Sequence, residues 1–199
     1  MILSRNLSQN DLPSIDNFID KHSKMYGVPF SKVALKQKLR NFLNSDNNIV
    51  GAFEDDRMIG ICTQVFWENY PFWSFSNMFV ETPPSMLFTN KVAEILGSLL
   101  DRTIKNAEAL ERFEFYYLYR DTENYYRKKQ TFDIISTSNP EVASRYDYQT
   151  LHKISKPEDV KWKYIEWFLG DIGMMAISPP YNKTLFLRRA IIKQEFRKV

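Results

Sequence analysis

The chain has 199 residues, 44% hydrophobic and 15% aromatic, and its 27 basic against 24 acidic residues leave a net charge of +3. That is enough for one substantial core, and 6 glycines beside 15 Phe, 11 Tyr and 4 Trp exclude collagen-like, repeat and linker-rich sequences. The small basic excess suits an acidic ligand or coenzyme phosphates and is too weak by itself to argue for nucleic acid.

Ile2 to Asn6 reads as a short strand. SQNDLPSIDNFIDKHSKMYG follows as a helix, capped by Ser8 or Asp11, with Pro13 near its first turn, Ile15, Phe18 and Ile19 on one face, and an end at Gly27. A second helix begins near Pro29 and Ser31 and carries Val33, Leu35, Leu39, Phe42 and Leu43 before SDNN breaks it. NIVGAFEDDRMIGICTQVFW reads as a hairpin, two β-type runs flanking the polar turn Glu54-Asp55-Asp56-Arg57. FWSFSNMFVET adds a third antiparallel strand and ends at Pro83-Pro84.

From Leu87 the period changes. Phe88, Val92, Ile95, Leu96, Leu99, Leu100 and Ile104 recur at three and four, opposite Asp101, Lys105 and Glu108, which predicts a long helix over one sheet face. ERFEFYYLYRD is a further strand and TENYYRKKQTFDII a short helix with a turn. A strand from Tyr146 to Ile154, a helix from Asp159 to Leu169 and a last strand from Thr184 to Phe196 complete the order β α α β β β α β α β α β.

The apolar runs Ile61 to Trp67 and Gly173 to Ile177 fall short of the roughly 20 residues of a membrane span. MILSRNLSQNDLPSID lacks the pattern of a secretory signal, so a cytoplasmic protein is expected. The single cysteine, Cys62, lies in an apolar run and reads as a small buried hydrophobe. His22 and His152 stand far apart, and no metal site is expected. Arg127, Lys128 and Lys129 beside Tyr125 and Tyr126 form a local basic cluster, read as a solvated face.

A hairpin meander followed by a strand-helix-strand crossover is an α+β layer architecture. Carried by NIVGAFEDDRMIGICTQVFW, by WSFSNMFVET before the long helix and by ERFEFYYLYRDTENYYRKKQTF, this order resembles the GCN5-related N-acetyltransferase (GNAT) superfamily. The resemblance covers roughly residues 1–135; residues 136–199 are expected to complete the sheet of a single domain, as in divergent, often phage-encoded GNAT-like proteins. It implies a mixed, mostly antiparallel sheet with helices on both faces, acetyl-CoA or another acyl-CoA as donor, an amine acceptor and no metal.

In that family the strand before the long helix opens toward the pantetheine arm, here at Phe79 and Val80, and a Gln/Arg-x-x-Gly-x-Gly/Ala loop holds the pyrophosphate. The matching positions are Pro84, Ser85, Met86, Leu87, Phe88 and Thr89, with no glycine to permit close backbone approach. Ser85, Thr89, Asn90 and Lys91 are the polar and cationic groups left at the helix start, where Ser or Thr also serves as an ordinary cap. The resemblance further implies Tyr126 as the general acid, supported by Asn124, with Phe132 as the packing aromatic one residue later than usual. The base for an amine nucleophile is sought in Glu81 or Glu68. Trp67, Tyr70, Phe72 and Trp73 around Glu68 either line an acceptor pocket or pack.

Two functions stay open at this point. One is an acyl-CoA-dependent N-acyltransferase; the other is a non-catalytic GNAT-like structural or interaction protein, for instance in a phage virion. The second rests on the missing glycines, the aromatic richness and LFLRRAIIKQEFRKV, a basic terminal strand that either pairs with a protein partner or a second copy or is an ordinary internal strand.

Overall fold

The computed structural model describes residues 1–22, 31–67, 72–81, 90–120, 144–159, 177–180, 182 and 184–197. β1 (Ile2–Asn6) leads through a short 3-10 turn into α1 (Leu12–Lys21). The entry is a capping box: the Asp11 carboxylate accepts from the Ser8 backbone N–H at 2.8 Å and from its hydroxyl at 3.1 Å, and Pro13 stands in the first turn. Arg5 on β1 closes a pair with Asp11 at 2.6 Å, tying strand to helix. α2 (Lys32–Leu43) is capped by Ser31, whose hydroxyl accepts from the Ala34 N–H at 3.2 Å. The expected end of the first helix at Gly27 lies outside the described residues.

β2 (Asn48–Glu54) and β3 (Arg57–Phe66) form the expected hairpin. Asp55 and Asp56 turn it with φ of 48° and 62°, the left-handed pair of a type I′ turn, which matches the twist of the flanking strands. β4 (Phe72–Val80) completes the antiparallel meander, α3 (Asn90–Glu108) crosses over, and β5 (Glu114–Arg120) runs parallel to β4. β6 (Tyr146–Ile154) matches its expected bounds, whereas β7 (Leu185–Ile192) stops short of Phe196, because Gln194–Phe196 tighten into a 3-10 turn. The helices expected near 122–130 and after 159 lie outside the described residues.

The described strands form one sheet in the order β1-β2-β3-β4-β5-β7-β6. β7 is therefore interior: β5 bonds one of its edges from Glu114 to Arg120, and β6 bonds the other from Tyr146 to Ile154. Of the two readings of the C-terminal strand, an internal strand or one pairing with a partner, this register gives β7 the internal place, bonded along both edges.

Period-two alternation divides the sheet between two cores. α1 and α2 press Ile15, Phe18, Ile19, Leu35 and Leu39 onto Ile49, Ile61 and Phe79 on one face. α3 presses Ile95 and Leu99 onto Val50, Ala52, Ile59 and Cys62 on the other, and Leu100, Ile104 and Ala107 onto Trp73, Phe115 and Ala190. Each fully buried aliphatic side chain there contributes about 1.5–3 kcal/mol. Gly60 lets α3 approach, since a Cβ at this position would lie 2.7 Å from Ile95 Cγ2. Cys62 is buried, and burial pushes its thiol well above the ordinary range, so it is the small hydrophobe expected. A polar seam fixes the register of α3: Gln64 Nε2 donates to the Thr103 carbonyl at 2.7 Å, and Asn106 Nδ2 donates to Asn6 Oδ1 at 2.8 Å.

Candidate active site at the parted strands

β4 is bonded very differently on its two sides. Toward β3 the ladder runs from Phe66↔Trp73 to Gly60↔Val80, while toward β5 it holds only Phe72↔Glu114, Trp73↔Phe115 and Ser74↔Tyr116. Beyond Ser74, β4 continues to Val80 and stays with β3; beyond Tyr116, β5 continues to Arg120 and stays with β7. The facing edges of Phe75–Val80 and Tyr117–Arg120 have thus left their mutual ladder, and the strands form a fork with its apex at Ser74 and Tyr116. The sequence supplies the cause. Asn77 pairs with Thr63 but Phe75 pairs with Gln64, so Ser76 is an extra residue, and such a bulge bends and twists its strand. The two arms no longer ladder with each other, and the gap between them is a slot for an extended, amide-bearing ligand.

α3 begins beside the wide end of this fork. There Lys91 bonds Glu54 at 2.6 Å, Arg57 lies 3.5 Å from the same carboxylate, and Arg57 also pairs with Glu81. The Glu54 carboxyl is held below its usual range by its hydrogen bond to Lys91. Glu81, expected as a base, therefore stands past the end of β4 in an ion pair, with its backbone N–H donating to the Ile59 carbonyl at 2.7 Å. His22, which caps the end of α1, lies within electrostatic reach of Glu81 and Arg57, and burial lowers its pKa.

The other expected residues divide. Phe79 is 1% exposed and its ring belongs to the core under α1 and α2, so only its main chain lines the slot; the Val80 side chain packs toward α3. Asn90 opens α3 and Lys91 follows it in the first turn. Ser85, Thr89, Asn124, Tyr126, Phe132, Glu68, Tyr70 and the 125–129 cluster lie outside the described residues. Of the aromatics near Glu68, Trp73 is buried and stacks on Phe115 with centroids 4.7 Å apart, while Phe72 meets Tyr116 at 4.5 Å and Trp67 at 6.2 Å. These three rings pack.

At the apex the sequence reading missed three groups. Tyr116 stands on the same strand face as Glu114, and Arg189 of β7 grips the Glu114 carboxylate through Nε at 2.5 Å and a terminal nitrogen at 3.0 Å. Burial, then the Glu114 carboxylate, pushes Tyr116 up to about 12. EFYYLYR shows an aromatic strand, but the partnership of Glu114 with Arg189 exists only through the β5–β7 register.

No family model matches the sequence, and no curated protein matches it. Solved structures do: an N-acetyltransferase from Staphylococcus aureus Mu50 superimposes with a TM-score of 0.59 at 12% identity, over 96% of this chain and 97% of that one. The ribosomal-protein-S18-alanine N-acetyltransferase from Escherichia coli gives 0.57 at 10% identity, over 100% and 99%. This chain has the GNAT acetyltransferase fold. The structure of yncA from Salmonella typhimurium, described as an acetyltransferase with its cofactor acetyl-CoA, gives 0.54 at 9% identity over 97% and 95%. Among the described residues, no helix is long and apolar enough to cross a membrane.

Proposed function

We propose that the protein is an N-acyltransferase that passes an acyl group from acyl-CoA to an amine acceptor. The observation that carries this reading is the fork: β4 held along its length by β3 and released from β5 beyond Ser74. Fold alone does not imply activity, so the support is the slot itself and the groups at its two ends.

The residues present suit the donor. The main chain of Phe79 and Val80 offers strand-type hydrogen bonds to a pantetheine amide. At the wide end the α3 N-terminus and Lys91 favour negative charge, with Ser85, Thr89 and Asn90 leading into that helix. Acyl-CoA supplies an activated thioester. The chain's own work is to hold it in line, receive a proton from the acceptor nitrogen and give one to the departing sulfur. Tyr126, with Asn124 near it in sequence, is assigned the second proton transfer. Glu81 remains a second carboxylate at the slot's wide end, available if Arg57 releases it.

The test is acyl transfer from acetyl-CoA and longer acyl-CoAs to primary amines, followed by release of free thiol. Turnover is expected, and Tyr126→Phe is expected to lower it about 100-fold with the melting temperature unchanged. The competing reading, a GNAT-fold interaction protein in a virion or elsewhere, is favoured by the absence of glycine from 84–89 and predicts a folded protein that binds no acyl-CoA.

A further inference from the structure

α1 has two unlike sides. Toward α2 it turns its acids, and both are paired: Asp16 with Arg40 at 2.7 Å and Asp20 with Lys36 at 2.8 Å. Toward the β2–β3 turn it presents Ser14, Asn17 and Lys21, which recur at three and four and so form one stripe. That stripe walls a cleft of about 90 Å³, opposite Asp56 and Arg57, with the buried Phe18 and Met58 as its floor. The His22 ring closes the end at the C-terminus of α1, held against the Phe18 ring with centroids 4.8 Å apart.

The stripe consists of donors without protein acceptors. Among the described residues Lys21 has no carboxylate in ion-pair reach, and neither the Ser14 hydroxyl nor the Asn17 amide bonds a protein group. A cation in the last turn of a helix is favoured by the macrodipole alone, which accounts for Lys21 but not for the two donors one and two turns before it on the same stripe. Arg57 adds a guanidinium, shared with Glu54 and Glu81. Asp56 is the one acid of the lining, exposed in the turn and without an ion-pair partner. Size narrows the ligand: a water takes about 30 Å³ of liquid volume, so the cleft has room for about three. Pockets that enclose a whole cofactor measure roughly 300–1,000 Å³. One tetrahedral oxyanion fits, and donors on facing walls suit its oxygens.

We propose that the cleft between α1 and the β2–β3 turn binds a phosphate group, grasped by Ser14, Asn17 and Lys21 from the helix and by Arg57 from the turn. Two sources offer that chemistry, the ribose phosphate of coenzyme A and free inorganic phosphate. The first is within reach because Arg57 of the cleft and Lys91 at the wide end of the slot share the Glu54 carboxylate. The site itself stands apart from the acyltransferase reading; only the coenzyme as its source rests on it.

The experiment titrates the intact protein with inorganic phosphate, following affinity by calorimetry and the His22 ring by proton NMR. Burial now lowers the His22 pKa, with Glu81 opposing and Lys21 and Arg57 adding to that depression, and Asp56 is the remaining charge on the cleft. An oxyanion favours the imidazolium, so phosphate should raise the His22 pKa and leave His152, on β6 at the far edge of the sheet, unmoved. Lys21→Ala should weaken phosphate binding about tenfold. Lys32→Ala removes an equal charge from α2, where Asp20 is its partner, and should leave affinity unchanged. Asn tolerates the left-handed φ of 62° at position 56, so Asp56→Asn should keep the turn and tighten phosphate about threefold. A His22 ring that phosphate does not move, or equal losses in Lys21→Ala and Lys32→Ala, overturns the inference. So does weaker binding by Asp56→Asn, which would make the cleft a site for a cation. Coenzyme A is then compared with coenzyme A lacking its ribose phosphate. A preference for the complete coenzyme that disappears in Lys21→Ala supports the site with the ribose phosphate as occupant. Equal binding of the two, with inorganic phosphate still bound, supports it with free phosphate as occupant. Phosphate binding without binding of either coenzyme also supports the site, and overturns only the acyltransferase reading.

Discussion

β4 makes two junctions, and they teach opposite lessons. With β3 it is zipped from Trp73 to Val80 across a bulge, and the side chains of this junction belong to both cores. With β5 it is joined only from Phe72 to Ser74, and the strands part where Tyr116, Glu114 and Arg189 gather. The closed junction carries stability. The open one gives up the ladder between its two arms. Substitutions on the closed side should therefore move stability and spare ligand binding, and those on the open side should do the reverse.

The largest expected effect is at Phe79, where ring and main chain belong to different junctions. Phe79→Ala should cost about 3–5 kcal/mol in denaturant unfolding, while the acetyl-CoA affinity of the folded fraction stays within about threefold. A large loss of affinity per folded molecule would show that the ring, and not only the backbone, serves the slot. Gly60→Ala sharpens the same contrast from the α3 side. Its Cβ would meet Ile95 at 2.7 Å and Leu99 at 3.2 Å, and the forced shift should cost about 1–3 kcal/mol.

Asp11 probes the closed half through pH. Its hydrogen bond to Arg5, then those from Ser8, lower its pKa from 3.8 to about 2 against the opposing effect of burial. The folded value is the depressed one, so the carboxylate's contribution is fully present above the unfolded value and is lost as pH falls toward about 2. Asp11→Asn should destabilise by about 1–2 kcal/mol at neutral pH, and acid titrations should show the gap to the parent protein closing in that window. The smallest stability effect belongs to the open side. Lys91→Ala removes an exposed pair and should move stability by less than about 0.5 kcal/mol, yet weaken acetyl-CoA binding about threefold to tenfold by calorimetry.

Much of this fold was legible because it is written in local period. Apolar residues at three and four set α1, α2 and α3, and the Asp55-Asp56 turn set the hairpin. The family resemblance drawn from that order matches the fold. What stayed hidden depends on strand pairing across long separations. LFLRRAII reads as a terminal strand, and nothing local says that it inserts between β5 and β6. Ser76 is an unremarkable serine in sequence, and only its lack of a partner on β3 makes it the residue that bends β4. Glu81 attracted the role of base because it closes the strand, and its pairing with Arg57 shows only in the fold, as does the hold of Arg189 on Glu114, 75 residues away.

The most direct test of the open junction is amide hydrogen exchange with and without acetyl-CoA. The account predicts that acetyl-CoA slows exchange in peptides covering Phe75–Val80 and Tyr117–Arg120, and leaves β2 and the β2-facing amides of β3 unchanged. Binding that leaves both arms of the fork unprotected, or protects only some distant surface, would contradict it.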